Sequence, residues 1–256
     1  MKIFGRTYIN LVRELTLFNF KLRDQGTVLG FIWTLLHPFL MLTILYMLFS
    51  KRLGKGIEHY EIYLLIGIIQ WNFLSTGTNE GLKSIMNNRS ILRNIYIFRT
   101  AVVVSSVLAV AISFLLELLV LGGFIIFSGL GFSLAILFLP FVILIQLLLI
   151  ISISLALSCL NVYFKDTAHI WNVILKIGFF TTPIFYSIPM FISKPKMAAY
   201  FLNPMTQLMI FTRQIILSKT PPPLINMLLV FLAVLVLLAI CYLIFKKLED
   251  GIIERL

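Results

Sequence analysis

Charged side chains are scarce in this sequence. Only 12% of its 256 residues are charged, whereas an ordinary soluble domain has about 25%. Hydrophobic residues make up 60% of the chain, which is more than one compact core can bury behind so little polar surface. This composition excludes a disordered chain and an ordinary soluble enzyme. It predicts an integral membrane protein.

Acidic residues are the rarer charged class, with 10 Asp and Glu against 21 Lys and Arg, and the net charge is +11. In a soluble protein this excess of positive charge would suggest a nucleic-acid partner. In a membrane protein the same excess reflects orientation in the bilayer and attracts anionic lipids. We therefore expect membrane lipids, and no nucleic acid, among its partners.

Residues that hold metals or attack substrates are few and scattered. Cys159 and Cys241 lie inside apolar runs, so no disulfide framework exists. His37, His59 and His169 fall in different segments, without the spacing of metal ligands. The phosphate-binding pattern G-x-x-x-x-G-K-(S/T) is missing. We expect a chain that is not an enzyme, binds no ATP and carries no cofactor, and a membrane-embedded transferase is disfavoured. A partner would supply the energy.

Long apolar runs fill most of the chain, and a membrane-spanning helix needs about 20 such residues. The stretch from Leu118 to Phe164 contains no charged residue, and a turn at Gly129-Leu130-Gly131 divides it into two spans. A shorter run at 193–218 is interrupted by Asn203-Pro204, which favours short re-entrant outer helices. The sequence thus predicts one all-α transmembrane domain over residues 1–256, with spans at 28–50, 61–80, 101–127, 133–160, 170–192 and 224–245.

Six spans place both termini on the same side of the membrane. With the termini inside, about two thirds of the 21 Lys and Arg residues lie on the inner side, which favours cytoplasmic termini. The outer cluster of Lys51, Arg52 and Lys55 argues mildly against this orientation.

The segment before the first span, residues 1–25, has apolar side chains at steps of three and four, which places them on one face of a helix. Basic and polar residues fall on the opposite face. Such a helix lies in the plane of a bilayer. It either anchors the chain to lipid, also braces it against a cytoplasmic partner, or belongs to a small soluble domain. The apolar residues are Phe4, Tyr8, Leu11, Leu15, Phe18 and Leu22.

The inner loop at 87–100 mixes basic and apolar residues. It is either an ordinary positively charged cytoplasmic loop or a short helix that docks in the groove of a partner. The candidate partner-binding residues are Arg89, Ile91, Leu92, Arg93, Tyr96 and Arg99.

Aromatic residues make up 14% of the chain, and most of them are expected to face lipid or the membrane interfaces. A subset on the first and fifth predicted spans is spaced to form one stripe. Aromatic faces stack on ring-shaped ligands with little selectivity, as a sliding oligosaccharide would require. The candidate channel residues are Trp33, Phe39, Tyr46, Phe179, Phe180, Phe185 and Tyr186.

Glu117 is the one acidic residue in the third predicted span. An ionisable group inside a bilayer is costly and is a functional hypothesis by default. It either pairs with a polar group of another span or relays protons in a secondary carrier that needs no ATPase. A proton relay usually requires a chain of such groups, which weakens the carrier hypothesis.

Four motifs, in order along the chain, resemble those of the membrane subunits of type-2 ABC exporters. The resemblance covers almost the whole chain. It is greatest to the polysaccharide and teichoic-acid export branch, within which O-antigen exporter permeases look most similar. The motifs are Lys21-Leu22-Arg23-Asp24 with Leu29-Gly30, Trp33 and Pro38; Leu160-Asn161-Val162-Tyr163-Phe164-Lys165-Asp166; Thr182-Pro183-Ile184-Phe185-Tyr186; and Leu202-Asn203-Pro204 with Arg213.

The resemblance implies a homodimer of six-span subunits in the bacterial inner membrane, with two cytoplasmic ATPase subunits that bind ATP and Mg²⁺. A lipid-linked glycan would move through a channel between the two copies. Residues 1–25 would form the interface helix, 87–100 the coupling helix and 193–218 the outer gate helices. Teichoic acid, capsule, or a drug or small lipid remain alternative cargoes.

Two details of the resemblance concern single residues. Arg23 and Asp24 would lock the corner between the interface helix and the first span by a local ion pair. Relatives often carry Phe-Pro-Arg at the end of the coupling loop, whereas this chain has Ile97-Phe98-Arg99. The exit of that loop is therefore expected to differ.

Overall fold

The computed structural model describes residues 2–23, 32–94, 97–187, 203–249, 251 and 252. Within these ranges the regular structure is entirely helical. The helices are α1 (Lys2–Arg23), α2 (Ile32–Phe49), α3 (Tyr60–Asn87), α4 (Arg89–Asn94), α5 (Arg99–Phe127), a 3₁₀ turn (Leu134–Phe138) that leads into α6 (Leu139–Tyr163), α7 (Thr167–Thr181), α8 (Pro204–Arg213) with a π-helical turn (Gln214–Ser218), and α9 (Leu224–Glu249).

Three helices of the described part are long and apolar enough to cross a membrane: Arg99–Phe127, Leu134–Tyr163 and Leu224–Glu249. They contain 29, 30 and 26 residues. At a rise of about 1.5 Å per residue, each helix is longer than the roughly 30 Å thickness of the hydrocarbon core. These helices correspond to the predicted spans 101–127, 133–160 and 224–245. The prediction of an all-helical membrane protein is confirmed.

The other three predicted spans also contain helices, but each is shorter or more polar. Helix α2 has 18 residues, and residues 28–31 lie outside the described part. Helix α3 has 28 residues but carries polar side chains along its second half. Helix α7 has 15 residues and ends at Thr181. The count of six spans stays a prediction.

Helix α7 ends where a proline follows. Thr182 adopts the extended conformation, with φ −83° and ψ 139°, because a residue that precedes proline is disfavoured in the helical region. Residues 182–186 form a non-helical bend. The predicted fifth span at 170–192 is thus a helix and then a bend as far as residue 187, and residues 188–192 lie outside the described part.

Helix α3 lies at the centre of the fold and packs against α5, α6 and α2. Small residues allow helices to approach closely in membranes, and Gly77 and Gly81 do so here. A methyl group on Gly77 would lie 2.8 Å from Ile150 Cγ2, and one on Gly81 would overlap the Ser154 side chain. Their lack of side chains is what brings α6 against α3.

The outer helices use one face each. Helix α1 packs on α5, where Tyr8 contacts the ring of Phe98 at a centroid distance of 5.6 Å. Its predicted apolar face is only partly covered, because Phe18 and Leu22 are exposed. Helix α9 packs on α6 through a buried stripe that includes Val234. Most of its other apolar side chains are exposed, as expected for a surface that contacts lipid.

Candidate functional site

The bend at 182–186 is the most irregular buried backbone of the described part. Its residues are all buried, and the carbonyls of residues 183–186 accept no backbone hydrogen bond from the described residues. A buried carbonyl without a donor is costly, and membrane interiors supply no water to replace it. Other parts of the chain must therefore provide donors for this segment.

Arg213, at the end of α8, donates two hydrogen bonds to the bend and one to α3. Its Nη1 donates to the carbonyl of Pro183 at 2.7 Å, and its Nη2 donates to that of Ile184 at 2.9 Å. Nη2 also donates to the carbonyl of Tyr63 on α3 at 3.2 Å. The guanidinium lies 3.4 Å from the centroid of the Tyr63 ring, a favourable cation–π geometry. Arg213 is only 7% exposed.

Two tyrosines of α3 continue the pattern. The hydroxyl of Tyr60 donates to the carbonyl of Phe185 at 2.7 Å, and that of Tyr63 donates to the carbonyl of Tyr186 at 2.8 Å. All four carbonyls from residue 183 to residue 186 therefore accept a hydrogen bond. We call this arrangement the Arg213 junction: Tyr60, Tyr63, Gly67, Arg213 and the bend at 182–186.

Gly67 makes room for the guanidinium. A methyl group at Gly67 would lie 2.9 Å from Arg213 Nη2 and 3.1 Å from the carbonyl oxygen of Ile184. Positions 60, 63 and 67 share one face of α3, because residues three and four apart are neighbours on a helix. One helical face thus contributes two hydroxyls and one gap.

Asn203 ties the start of α8 to the same bend. Its side-chain oxygen accepts from the backbone N–H of Met205 at 3.0 Å, which caps the helix. Its side-chain nitrogen lies 3.5 Å from Thr182 Oγ1. Pro204 occupies the first helical position, where its missing N–H costs nothing. The Asn203-Pro204 motif is therefore a helix start in this structure.

The aromatic residues predicted for the channel fall into two groups. Phe179, Phe180, Phe185 and Tyr186 form one cluster, with Phe185 stacked on Phe49 at a centroid distance of 4.8 Å. Tyr46 joins this cluster through the ring of Tyr60, at 6.2 Å. Phe39 instead contacts Phe124 of α5 at 6.5 Å. Trp33, Tyr46 and Phe180 are 49%, 42% and 65% exposed, whereas Phe185 and Tyr186 are 9% and 6% exposed.

Helix α4 presents its basic side chains outward. Arg89, Ile91 and Arg93 are exposed, whereas Leu92 is buried in a second apolar cluster, with Ile85 on α3. One leucine therefore fixes the helix, and its other faces are free of contacts that would hide them. The predicted Tyr96 lies outside the described residues.

Arg99 is engaged within the chain. Its Nη1 donates to the carbonyl of Glu249 at 2.8 Å and lies 3.3 Å from the Glu249 carboxylate. This pair joins the start of α5 to the end of α9, so Arg99 connects the helix that follows α4 with the last helix.

The sequence comparison adds what geometry alone does not provide. Residues 10–217 match the family described as ABC-2 type transporter. The chain belongs to that family. It is 30% identical to the O-antigen export system permease protein RfbA of Myxococcus xanthus over 207 residues, which is 79% of this chain and 78% of the relative. A protein of the same name from Klebsiella pneumoniae is 25% identical over 199 residues, 77% of this chain and 76% of the relative.

The remaining predicted residues of this ABC-2 chain are the corner pair Arg23 and Asp24, and the intramembrane Glu117. Asp24 and the side chain of Arg23 lie outside the described part. Glu117 of α5 is buried beside a small hollow that Pro38 and Phe39 of α2 and Leu65 of α3 also line. It therefore lies where three helices meet, next to the proline inside α2. Its role stays a prediction.

Tyr60, Tyr63 and Gly67 of the Arg213 junction were not predicted from the sequence. Arg213 itself was singled out only through the motif with Asn203-Pro204. A usable signal was present, since Tyr60, Tyr63 and Gly67 have helical spacing at the start of a predicted span. Nothing in that spacing identifies the distant bend that the hydroxyls reach.

Proposed function

We propose that this chain is the transmembrane subunit of an ATP-driven ABC exporter that moves a lipid-linked, O-antigen-like polysaccharide across the bacterial inner membrane. The observation that carries the proposal is the similarity, over more than three quarters of both chains, to permeases named for O-antigen export. Membership of the ABC-2 type transporter family supports the same function.

The proposed assembly is a homodimer of six-span subunits with both termini in the cytoplasm. Helices α2, α3 and α7 complete the spans, and the segment around α8 forms the outer gate. The aromatic rings of Trp33, Tyr46 and Phe180 support a glycan path between the copies, because they are the most exposed of the predicted channel residues. Low-selectivity stacking on sugar rings is their proposed role.

Two cytoplasmic ATPase subunits complete the proposed exporter and bind the ATP and Mg²⁺. Helix α4 is the proposed docking element. Its support is the exposure of Arg89, Ile91 and Arg93 on a helix held by the buried Leu92. A short helix with mixed apolar and basic faces fits a groove on a partner. Closure of the ATPases would move α4 and, through it, bias the membrane subunits between two states.

The test is affinity purification of the tagged chain from its native membranes in mild detergent, followed by mass spectrometry. A stoichiometric soluble subunit with a phosphate-binding loop, together with ATP-dependent export of lipid-linked glycan in proteoliposomes, is the expected result. A chain that purifies alone and transports without ATP would contradict the proposal. Loss of that transport in Glu117→Gln would then support a proton-coupled carrier.

A further inference from the structure

A cleft of about 880 Å³ lies beside the Arg213 junction. Five segments line it: residues 56–59 before α3, Tyr63 of α3, Leu130 between α5 and α6, Pro183 with Ser187, and six residues between Ile210 and Lys219. The proposed six-span topology places all five on the outer side. The volume is typical of a site for a small molecule, since such sites span roughly 300–1,000 Å³.

Two strained backbone positions flank the cleft. In the described part, His59 and Lys219 are the non-glycine residues with positive φ, at 50° and 56°. Both line the cleft. Left-handed backbone is strained for such residues, and this strain concentrates at functional sites. Glycine would remove the strain at either position, yet the chain places side chains with nitrogen donors there.

The charge of Arg213 is not neutralised by a carboxylate. Its hydrogen bonds go to carbonyls, and the two ion pairs of the described residues are His59–Glu61 and Arg99–Glu249. A buried cation without a counter-ion raises the positive potential of the adjoining cleft. Lys219 adds a second positive charge at the exposed rim. Glu58 is the carboxylate that also lines the cleft.

The remaining polar groups are hydroxyls and an amide. Ser187, Ser218 and Gln214 line the cleft, and the side-chain oxygen of Gln214 is buried without a hydrogen-bond partner among the described residues. That acceptor, with the carboxylate of Glu58, matches the hydroxyl donors of a sugar or polyol. The cations match an anionic group, and lysine commonly binds phosphate as a point charge.

We propose that this cleft binds a phosphate group carried on a sugar or polyol at the outer face of the membrane. Lys219 donates to the phosphate, Arg213 contributes charge from beneath, and Glu58 and Gln214 accept from the hydroxyls. The assignment to the outer face rests on the proposed export function. The ligand is either the phosphate that links lipid to glycan or a phosphorylated unit of the glycan itself, and both share this chemistry.

The test is titration calorimetry on the purified full chain in nanodiscs of zwitterionic lipid, without nucleotide or ATPase. Glucose 1-phosphate is the probe, with glucose and inorganic phosphate as comparisons. We expect glucose 1-phosphate to bind more tightly than either. Lys219→Gln should weaken it about tenfold, which corresponds to one lost charge-assisted contact of about 1.4 kcal/mol. Lys219→Arg should retain binding, and both variants keep the same backbone strain as Lys219.

Lys51→Gln is the matched control, because Lys51 is an exposed lysine in another predicted outer loop, the one before α3, and it does not line the cleft. Its binding should equal that of the unaltered chain. The proposal is overturned if glucose 1-phosphate does not bind or if glucose or inorganic phosphate binds as tightly. It is also overturned if Lys219→Gln and Lys51→Gln weaken binding equally. If the chain exports glycan but does not bind glucose 1-phosphate, only the proposed cleft site is contradicted. If it binds glucose 1-phosphate but recruits no ATPase, the proposed exporter function is contradicted.

Discussion

A single missing side chain decides whether the Arg213 junction can form. The guanidinium occupies the space next to Gly67, where it donates to carbonyls that have no other donor among the described residues. An unsatisfied buried carbonyl costs about 1–3 kcal/mol, so displacement of Arg213 would expose several such costs at once. The glycine is therefore a condition for the bend, although it lies on a different helix.

Gly67→Ala should destabilise the protein by about 1–3 kcal/mol, because its methyl group would press on Arg213 Nη2 and on the carbonyl of Ile184. Gly123→Ala on α5 is the matched control, since a methyl group there meets nothing within 4 Å. It should cause no loss and could gain up to about 1 kcal/mol from helix propensity. Thermal unfolding in detergent measures both. Equal melting temperatures would show that Arg213 does not fill the gap.

Neighbouring aromatic residues have opposite roles at this scale. Phe185 is buried and stacked on Phe49, whereas Phe180 presents most of its ring outward. Phe185→Ala should cost about 3–5 kcal/mol of stability and should lower the yield of folded protein. Phe180→Ala and Tyr46→Ala should leave melting unchanged and slow glycan export in proteoliposomes. Unchanged export rates in both variants would show that these two rings contact lipid and do not line the glycan path.

At the scale of elements, the sequence was informative wherever apolar residues run without interruption. Helices α5, α6 and α9 follow directly from such runs, and the glycines at 129 and 131 adopt the positive φ that their turn requires. The end of α7 was not predicted, although Pro183 marked it. The contrast between Phe180 and Phe185 was also beyond local pattern, because it depends on Phe49 and Tyr60 more than a hundred residues away.

Helix α4 illustrates how a short element gains a fixed position. Six residues cannot form a stable helix alone, so the burial of Leu92 against Ile85 must hold it. The pair of Arg99 and Glu249 fixes the chain immediately after it. If α4 is the docking element, we expect a push on it to reach the start of α5 and the end of α9.

Charge reversal on α4 tests its role as the docking element. Arg89→Glu together with Arg93→Glu should weaken co-purification of the ATPase at least tenfold, roughly the effect of 1.4 kcal/mol lost at an interface. Melting of the membrane subunit should not change, because both side chains are exposed. Lys83→Glu, an exposed basic residue at the end of α3, is the control and should bind normally. Normal export by the double variant would contradict the assignment.

At the scale of the whole molecule, α7 raises a question of length. Its 15 residues span about 22 Å at 1.5 Å per residue, less than the hydrocarbon core of about 30 Å. The bend at 182–186 extends the segment without helical hydrogen bonds, and the Arg213 junction supplies the missing donors. A broken span is tolerated in a membrane when protein satisfies its backbone in this way. In the proposed six-span topology, the junction would let a short helix and a bend complete one crossing.

If α7 and its bend cross the membrane, residues 90 and 218 lie on opposite sides of it. Between them lie α5, α6 and α7, so three crossings separate the two sites, whereas two crossings would leave them on the same side. With Cys159 and Cys241 changed to Ala, a membrane-impermeant maleimide applied to intact spheroplasts should label Ser218→Cys and spare Ser90→Cys. Both serines are exposed, and permeabilised cells provide the control in which both are labelled. Labelling of neither site before permeabilisation, or of both, would mean that α7 and its bend do not cross, and the six-span topology would be wrong.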